Sequence, residues 1–295
     1  MCRTSRYVGL TVVVLLMGAP RAAAQKTKQI FLRVAGANGA PVTDLNATEV
    51  KVLEDDLPCK ILKVEPAGPI KVQVLVDNGE LNTSPINNLR DGLRAFFEKL
   101  PEGVEASLYT TAPQGRAIVK NTPDRKRLID GIAIIAPDHG TGAFFESLLD
   151  AVDRVDHDKT PGIPTIVVLG TNAGLERIGD RDIPDIQEKI IKDGIRIDVV
   201  ITMGGTNTSS TSGTQLEIGT ALARLSGGHF ENTNSTTRLA TLIPEIGQLI
   251  TLNASAQQNQ YRVTYEPQGK RNSSVKVGVS VSRDGTTVTT SRDGR

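Results

Sequence analysis

The chain has no tryptophan, and aromatic residues make up only 3% of its 295 positions. It holds two cysteines and three histidines. Cys2 falls in the opening segment, which leaves Cys59 alone in the body of the chain. A single thiol cannot close an intramolecular disulfide, so a disulfide-stapled scaffold is excluded. Cys59 reads as a small buried hydrophobe. Stability must come from an aliphatic core, and a body of about 270 residues is enough to build one beside a smaller second unit. Long basic runs are missing too. Arg125-Lys126-Arg127 is the nearest approach, and it reads as the solvated face of a helix. Nucleic-acid and anionic-membrane binders need a clustered basic field, so no nucleic-acid partner is expected. A GxSxG elbow, an HExxH helix, a Walker loop and a dinucleotide glycine fingerprint are all absent. No stretch beyond residue 24 is apolar enough to span a bilayer.

What is present begins with Arg3 and Arg6, an apolar run over residues 8–17, and Ala22-Ala23-Ala24 before Gln25. A charged start, a short apolar centre and an A-x-A site read as a cleaved export signal over residues 1–24, with a secreted or periplasmic product. Pro20 and Arg21 close the run well short of the roughly 20 residues of a spanning helix. Loss of Arg3, Arg6 and Arg21 lowers the basic count from 34 to 31 against 33 acidic residues, a net charge of −2.

Three blocks follow. Residues 25–66 alternate as β-strands, with Ile30, Leu32 and Val34 on one face and turns at residues 36–39 and at Asp55-Asp56. Residues 257–295 also read as strands (261–266, 275–282 and 286–290), with Arg283-Asp284-Gly285 as a hairpin turn. Each terminal block is too short to bury a sheet face alone, so the two are expected to pair as a small β-sandwich-like unit. Between them, residues 67–256 alternate strand and helix, the pattern of a doubly wound, mostly parallel α/β sheet. Ser84 and Pro85 open a helix whose Ile86, Leu89, Leu93, Phe96 and Leu100 mark one buried face. Residues 165–169 form an uninterrupted apolar strand, as when helices cover both faces. A last helix over residues 236–254 is expected to break or kink at Pro244. Residues 204–213, GGTNTSSTSG, lack the lysine and spacing of a phosphate loop and read as a surface loop.

The functional signal is concentrated in residues 71–84, KVQVLVDNGELNTS. A β-branched strand ends on Asp77 and opens into a polar loop, and ligands of open α/β sheets bind at such carboxyl ends. The plain use of Asp77 is to accept hydrogen bonds from loop amides.

LVDNG, the helix after it, TGAFFESLLDAV and IVVLGTNAG together resemble the von Willebrand factor type A domain. The leading GAPVTDLNATEVKVLEDDLP and the closing YRVTYEP, VKVGVSV and TTVTTSRDG resemble the exported members of that family found in acidobacteria. The resemblance covers nearly the whole chain after the leader and rests on the order and spacing of these segments. It implies a fold of von Willebrand A type and a metal-ion-dependent adhesion site on three loops: DxSxS, a threonine, and an aspartate in a TDG-like turn. Here Asp77 keeps the first position. Gly79 and Leu81 stand where the serines would be, Gly142 at the threonine with Thr141 one residue out of register, and Asn172 at the last aspartate. Mg²⁺ wants an octahedral oxygen shell. The expectation is a degenerate site with no bound metal or other cofactor, in which Asp77 is a remnant.

The resulting expectation is a non-catalytic binding module for a protein partner. Its binding face comprises Asp77, Asn78, Gly79, Glu80, Thr141, Gly142, Thr171 and Asn172. One alternative is a scaffold component of an envelope assembly that makes contact through the β unit. Another is a hydrolase pairing His139 with Asp77, or with Glu80, as general acid and base. His157, in DRVDHD, reads as a solvated helix end, and His229 as packed at the start of a short strand. The N-x-Ser/Thr triplets at Asn46, Asn82 and Asn253 read as ordinary polar turns.

Overall fold

A computed structural model describes residues 27–79, 86–138, 143–158, 160–172, 181–203, 212–257, 259–268 and 276–290. Among these residues no helix is long and apolar enough to cross a membrane. Six strands form the central sheet: β5 (Ile70–Val76), β6 (Glu105–Thr110), β7 (Arg116–Thr122), β8 (Ile163–Thr171), β9 (Arg196–Thr202) and β10 (Phe230–Thr233). Their order is β10-β9-β8-β5-β6-β7, and every neighbouring pair is parallel except β6 with β7.

Side-chain alternation divides the core into two layers. Val72, Val74 and Val76 of β5, with Val167 and Leu169 of β8, face α1 (Ile86–Lys99), α2 (Arg125–Ile132) and α6 (Leu239–Gln257). Leu75, Ile166 and Val168 point the other way, toward α3 (Phe144–His157), α4 (Asp182–Asp193) and α5 (Ser212–Ser226). All nine residues of β8 are buried, because helices cover both faces of that strand. The buried stripe of α1 holds Leu89, Leu93, Phe96 and Phe97. Its Gly92 lets α6 come close, since a Cβ there would lie 2.6 Å from the Leu239 carbonyl oxygen. The last helix is not broken at Pro244. A 3₁₀ turn at Thr236–Arg238 leads into α6, which runs through Pro244 as one helix.

The terminal segments build a two-sheet unit at the opposite end from the carboxyl tips of the parallel strands. One sheet has the order β13-β1-β11-β4, from β1 (Lys28–Ala35), β4 (Lys60–Pro66), β11 (Gln260–Glu266) and β13 (Thr287–Thr290). The other has the order β12-β2-β3, from β2 (Val50–Glu54), β3 (Leu57–Pro58) and β12 (Val277–Val281). Ile30, Leu32, Val34, Val50, Val52, Tyr261 and Val263 fill the space between them. Asp55 and Asp56, both at positive φ (47° and 65°), make the tight turn that folds β3 back on β2.

Residues 283–285 do not form a hairpin within one sheet. β12 pairs with β2 while β13 pairs with β1, so the turn carries the chain from one sheet to the other. A hairpin and a sheet crossing have the same local sequence, and the pairing partners lie too far away in the chain for the turn to specify them. Arg283 fastens the crossing by donating to Glu49 (2.8 Å) and Asp44 (2.6 Å). Those hydrogen bonds hold the carboxyls of Asp44 and Glu49 below their ordinary values of 3.8 and 4.5, respectively. Carboxyls depressed in this way bind fewer protons folded than unfolded. Their contribution is therefore complete above the ordinary values and is lost as pH falls through the lowered ones. Arg283→Gln should accordingly flatten the acid-side fall in melting temperature below about pH 4.5, and moderate salt should shrink the difference because the groups are exposed. Identical acid limbs in melts of both proteins would show that this clamp carries no stability.

Arg125 is not purely solvated. Its guanidinium donates to the carbonyls of Pro101 (2.7 Å) and Val104 (2.9 Å), tying the loop before β6 to α2, while Lys126 stays exposed and pairs with Asp130. His229 is not packed: its side chain is about half exposed and lies 3.5 Å from Glu231. Cys59 is half-buried at the edge of the β-unit core, and burial pushes its thiol pKa up.

Candidate functional site

The parallel strands β5, β8 and β9 deliver their carboxyl ends to one rim. Asp77 follows β5 directly, and its amide donates to Leu169 O of β8 (2.8 Å). The residue is 4% exposed. Oδ1 accepts from the Gly79 amide (3.0 Å), and Oδ2 accepts from the Thr171 hydroxyl at the end of β8 (2.6 Å). The carboxylate thus shapes its own loop and stitches two neighbouring strand ends together.

Asn78 is equally committed. Its Oδ1 accepts from the Ala112 amide (3.0 Å) and its Nδ2 donates to the Ala136 carbonyl (2.9 Å). Its backbone carbonyl accepts from the Asp138 amide (2.8 Å). One asparagine therefore joins the β5 end to the segment after β6 and to the segment that leads from α2 toward α3. Asn172, just past β8, is buried and donates its amide to Thr202 O of β9 (3.2 Å). Of the predicted face, Asp77, Asn78, Gly79, Thr171 and Asn172 come together at this rim. Glu80, Thr141 and Gly142 lie outside the described residues, as do His139 and Leu81.

The space beside Asp77 is small. A void of about 10 Å³ lies between Asp77, Thr171, Leu89 and Leu239, room for one water at most. Side-chain oxygen is scarce: Gly79 has none, Asn172 offers an amide, and the Thr171 hydroxyl spends its proton on Asp77. Among the described residues no three His, Cys, Asp or Glu side chains gather as a metal-holding group.

Asp77→Ala should cost about 2 kcal/mol, because it strands the buried Thr171 hydroxyl and the Gly79 amide without their acceptor. Urea unfolding measures this loss, and a change within about 0.5 kcal/mol would mean that water replaces the carboxylate freely.

Sequence reading missed the clamp formed by Asn78, because its partners Ala112 and Ala136 are backbone groups that no motif marks. It also missed Asp198, fully buried in β9, which accepts from Arg196 Nε (3.0 Å) and from the His229 amide (2.7 Å). An aspartate inside the apolar run RIDVVIT was the available signal.

No protein-family model matches this sequence, and no curated protein matches it. Solved structures do. The fold is similar to that of a von Willebrand factor type A protein from Catenulispora acidiphila, with a TM-score of 0.51 and 10% identity over 91% of this chain and 73% of that one. It is also similar to the pilus adhesin SpaC of Lactobacillus rhamnosus GG in its open conformation. There the TM-score is 0.51 and the identity 10%, over 79% of this chain and 43% of the adhesin. At such identities the likeness concerns architecture, and the architecture is a doubly wound α/β domain of von Willebrand A type carrying a small two-sheet β unit.

Proposed function

We propose that this chain is an exported, non-catalytic module that binds a protein partner through the rim loops at the carboxyl ends of the parallel strands, without a bridging metal. The supporting observation is the internal use of both polar side chains that follow β5. Asp77 serves Gly79 and Thr171, and Asn78 serves Ala112 and Ala136, so both side chains are used to hold the rim's own segments in place. Where the family's metal site has two serines and an aspartate, this chain has Gly79, Leu81 and Asn172. That donor set does not fit a hard divalent cation, which is judged by ligand identity and count. Export is supported by the leader-like residues 1–24, and a binding role by a fold shared with a pilus adhesin; the latter is an argument from analogy.

A scaffold role through the β unit has one observation in its favour: Leu53, Leu57 and Leu62 are large apolar side chains exposed on that unit. Affinity capture in EDTA, with the full chain immobilised, separates the readings. Rim binding predicts that a captured partner is lost with Glu80→Ala and Asn172→Ala and retained with Leu57→Lys and Leu62→Lys. The reverse pattern would move the contact to the β unit. Millimolar Mg²⁺, Ca²⁺ or Mn²⁺ should leave the melting temperature unchanged. A cation at 100 times its dissociation constant would add about 2.7 kcal/mol, a shift of several degrees for a chain this size. Such a shift, abolished by Asp77→Ala, would overturn the metal-free reading.

A further inference from the structure

At the opposite end of the sheet from Asp77, a cleft of about 480 Å³ opens between the α/β domain and the β unit. Its walls carry five cations, Lys63, Lys71, Arg154, Lys192 and Arg262, and four carboxylates, Glu65, Asp156, Asp158 and Asp193. Four of the cations are paired: Lys71 with Asp158 (2.8 Å), Lys192 with Asp156, and both Lys63 and Arg262 with Glu65. Arg154 makes no ion pair with any described residue.

Arg154 is nevertheless held firmly. Its guanidinium carbon sits 4.0 Å above the centre of the Tyr109 ring. Its Nε donates to Gln73 Oε1 (2.8 Å), and Gln73 is itself oriented by donating Nε2 to the Ala151 carbonyl (3.1 Å). A guanidinium has two edges that can take a planar anion bidentately. With Nε engaged by Gln73, the edge formed by the two terminal nitrogens remains, prepositioned in a polar cleft.

We infer that this cleft is a carboxylate-binding site centred on Arg154. One unpaired guanidinium edge matches the size, planarity and single charge of a carboxylate. Phosphate, with up to two charges and tetrahedral oxygens, would meet four carboxylates and only one unpaired cation. Thr264 lines the same cleft, as do Ser107, whose hydroxyl donates to the Val72 carbonyl, and Asn121, whose amide donates to Glu105. The carboxylate belongs either to a chain terminus or to an acidic side chain.

The test is an NMR titration of the full mature chain with N-acetylglycine, N-acetylaspartate α-amide and inorganic phosphate. The expected result is a saturable shift of the Arg154 Nε–H resonance with at least one of the two carboxylates, and weaker binding of phosphate. The better of the two carboxylates identifies the source. Arg154→Gln should weaken binding by about tenfold or more, the loss of a charged hydrogen-bonded contact. Arg154→Lys, which keeps the charge without the planar edge, should also bind more weakly than the unaltered chain. Absence of any saturable shift, equal affinity in folded Arg154→Gln, or tighter phosphate binding would each overturn the proposal. Titration of the unaltered chain decides the matter if neither variant folds. Glu80→Ala at the rim should leave the titration unchanged, so failure of the rim reading and failure of this one are distinguishable.

Discussion

Phe31→Ala is expected to lower the unfolding free energy by about 3–5 kcal/mol, the cost of removing a fully buried aromatic ring from a core that collapses only partly. Phe31 lies in β1, whose Ile30, Leu32 and Val34 point into the β unit. By strand alternation Phe31 points the other way, and it is 1% exposed within the core layer shared with Val72, Phe96 and Ile163 of the α/β domain. It passes directly over Gly194, which ends α4 in a left-handed conformation (φ 64°). A Cβ on Gly194 would sit 2.9 Å from the ring, so glycine serves both the cap and the close approach. One ring therefore couples the two units. Its loss should also separate their unfolding: the intact chain is expected to unfold in one transition and Phe31→Ala in two. Calorimetry, with near-ultraviolet dichroism of Tyr109 in the domain and of Tyr261 and Tyr265 in the β unit, resolves the steps. Phe31→Leu keeps most of the apolar volume and should cost less than about 1.5 kcal/mol. A loss below about 1 kcal/mol in Phe31→Ala, with coincident transitions, would show that the ring is not the coupling element.

The α/β order was legible because local signals agreed with the global fold. The period of α1 and the unbroken apolar run of β8 each pointed to the element that forms. What the sequence hid was pairing at a distance. Arg283-Asp284-Gly285 has the chemistry of a hairpin turn, yet the partners of β12 and β13 lie more than 200 residues earlier in the chain, in different sheets. At the rim, Asp77 was visible by its position at a strand end, and its use on the Gly79 amide follows from ordinary turn chemistry. Its second partner, Thr171, is 94 residues away and becomes apparent only when β5 and β8 lie side by side. The cleft at Arg154 left no trace in the sequence for the same reason. Tyr109, Gln73 and Arg154 come from two strands and a helix, and no spacing links them.

Glu54→Ala is expected to cost about 3 kcal/mol, and the reason lies in the geometry of the sandwich. Val50, Val52 and Glu54 are the inward positions of β2, so alternation places a carboxylate where a third aliphatic residue would be expected. Lys28 and Tyr265 are cross-strand partners on the facing sheet. Lys28 Nζ donates to both oxygens of Glu54 (2.8 and 3.0 Å), and the Tyr265 hydroxyl donates to Oε1 (2.8 Å). Three side chains thus bridge the two sheets, with Glu54 only 7% exposed and Lys28 18%. Removing the carboxylate leaves an ammonium and a buried hydroxyl without their acceptor, and breaking such a pair costs about 3–5 kcal/mol. The lower end applies because Lys28 keeps some contact with solvent. That cost measures the damage of leaving partners behind rather than the net worth of the bridge, since desolvating both charges offsets much of their attraction. The triple replacement Lys28→Met, Glu54→Leu, Tyr265→Phe should therefore fall close to the unaltered chain in urea unfolding, although it removes every polar atom of the bridge. A triple variant as unstable as Glu54→Ala would mean that the bridge itself stabilises the sandwich. Glu54→Ala within about 0.5 kcal/mol of the unaltered chain would mean that water already solvates the cluster and that the sheets are held by their aliphatic layer alone.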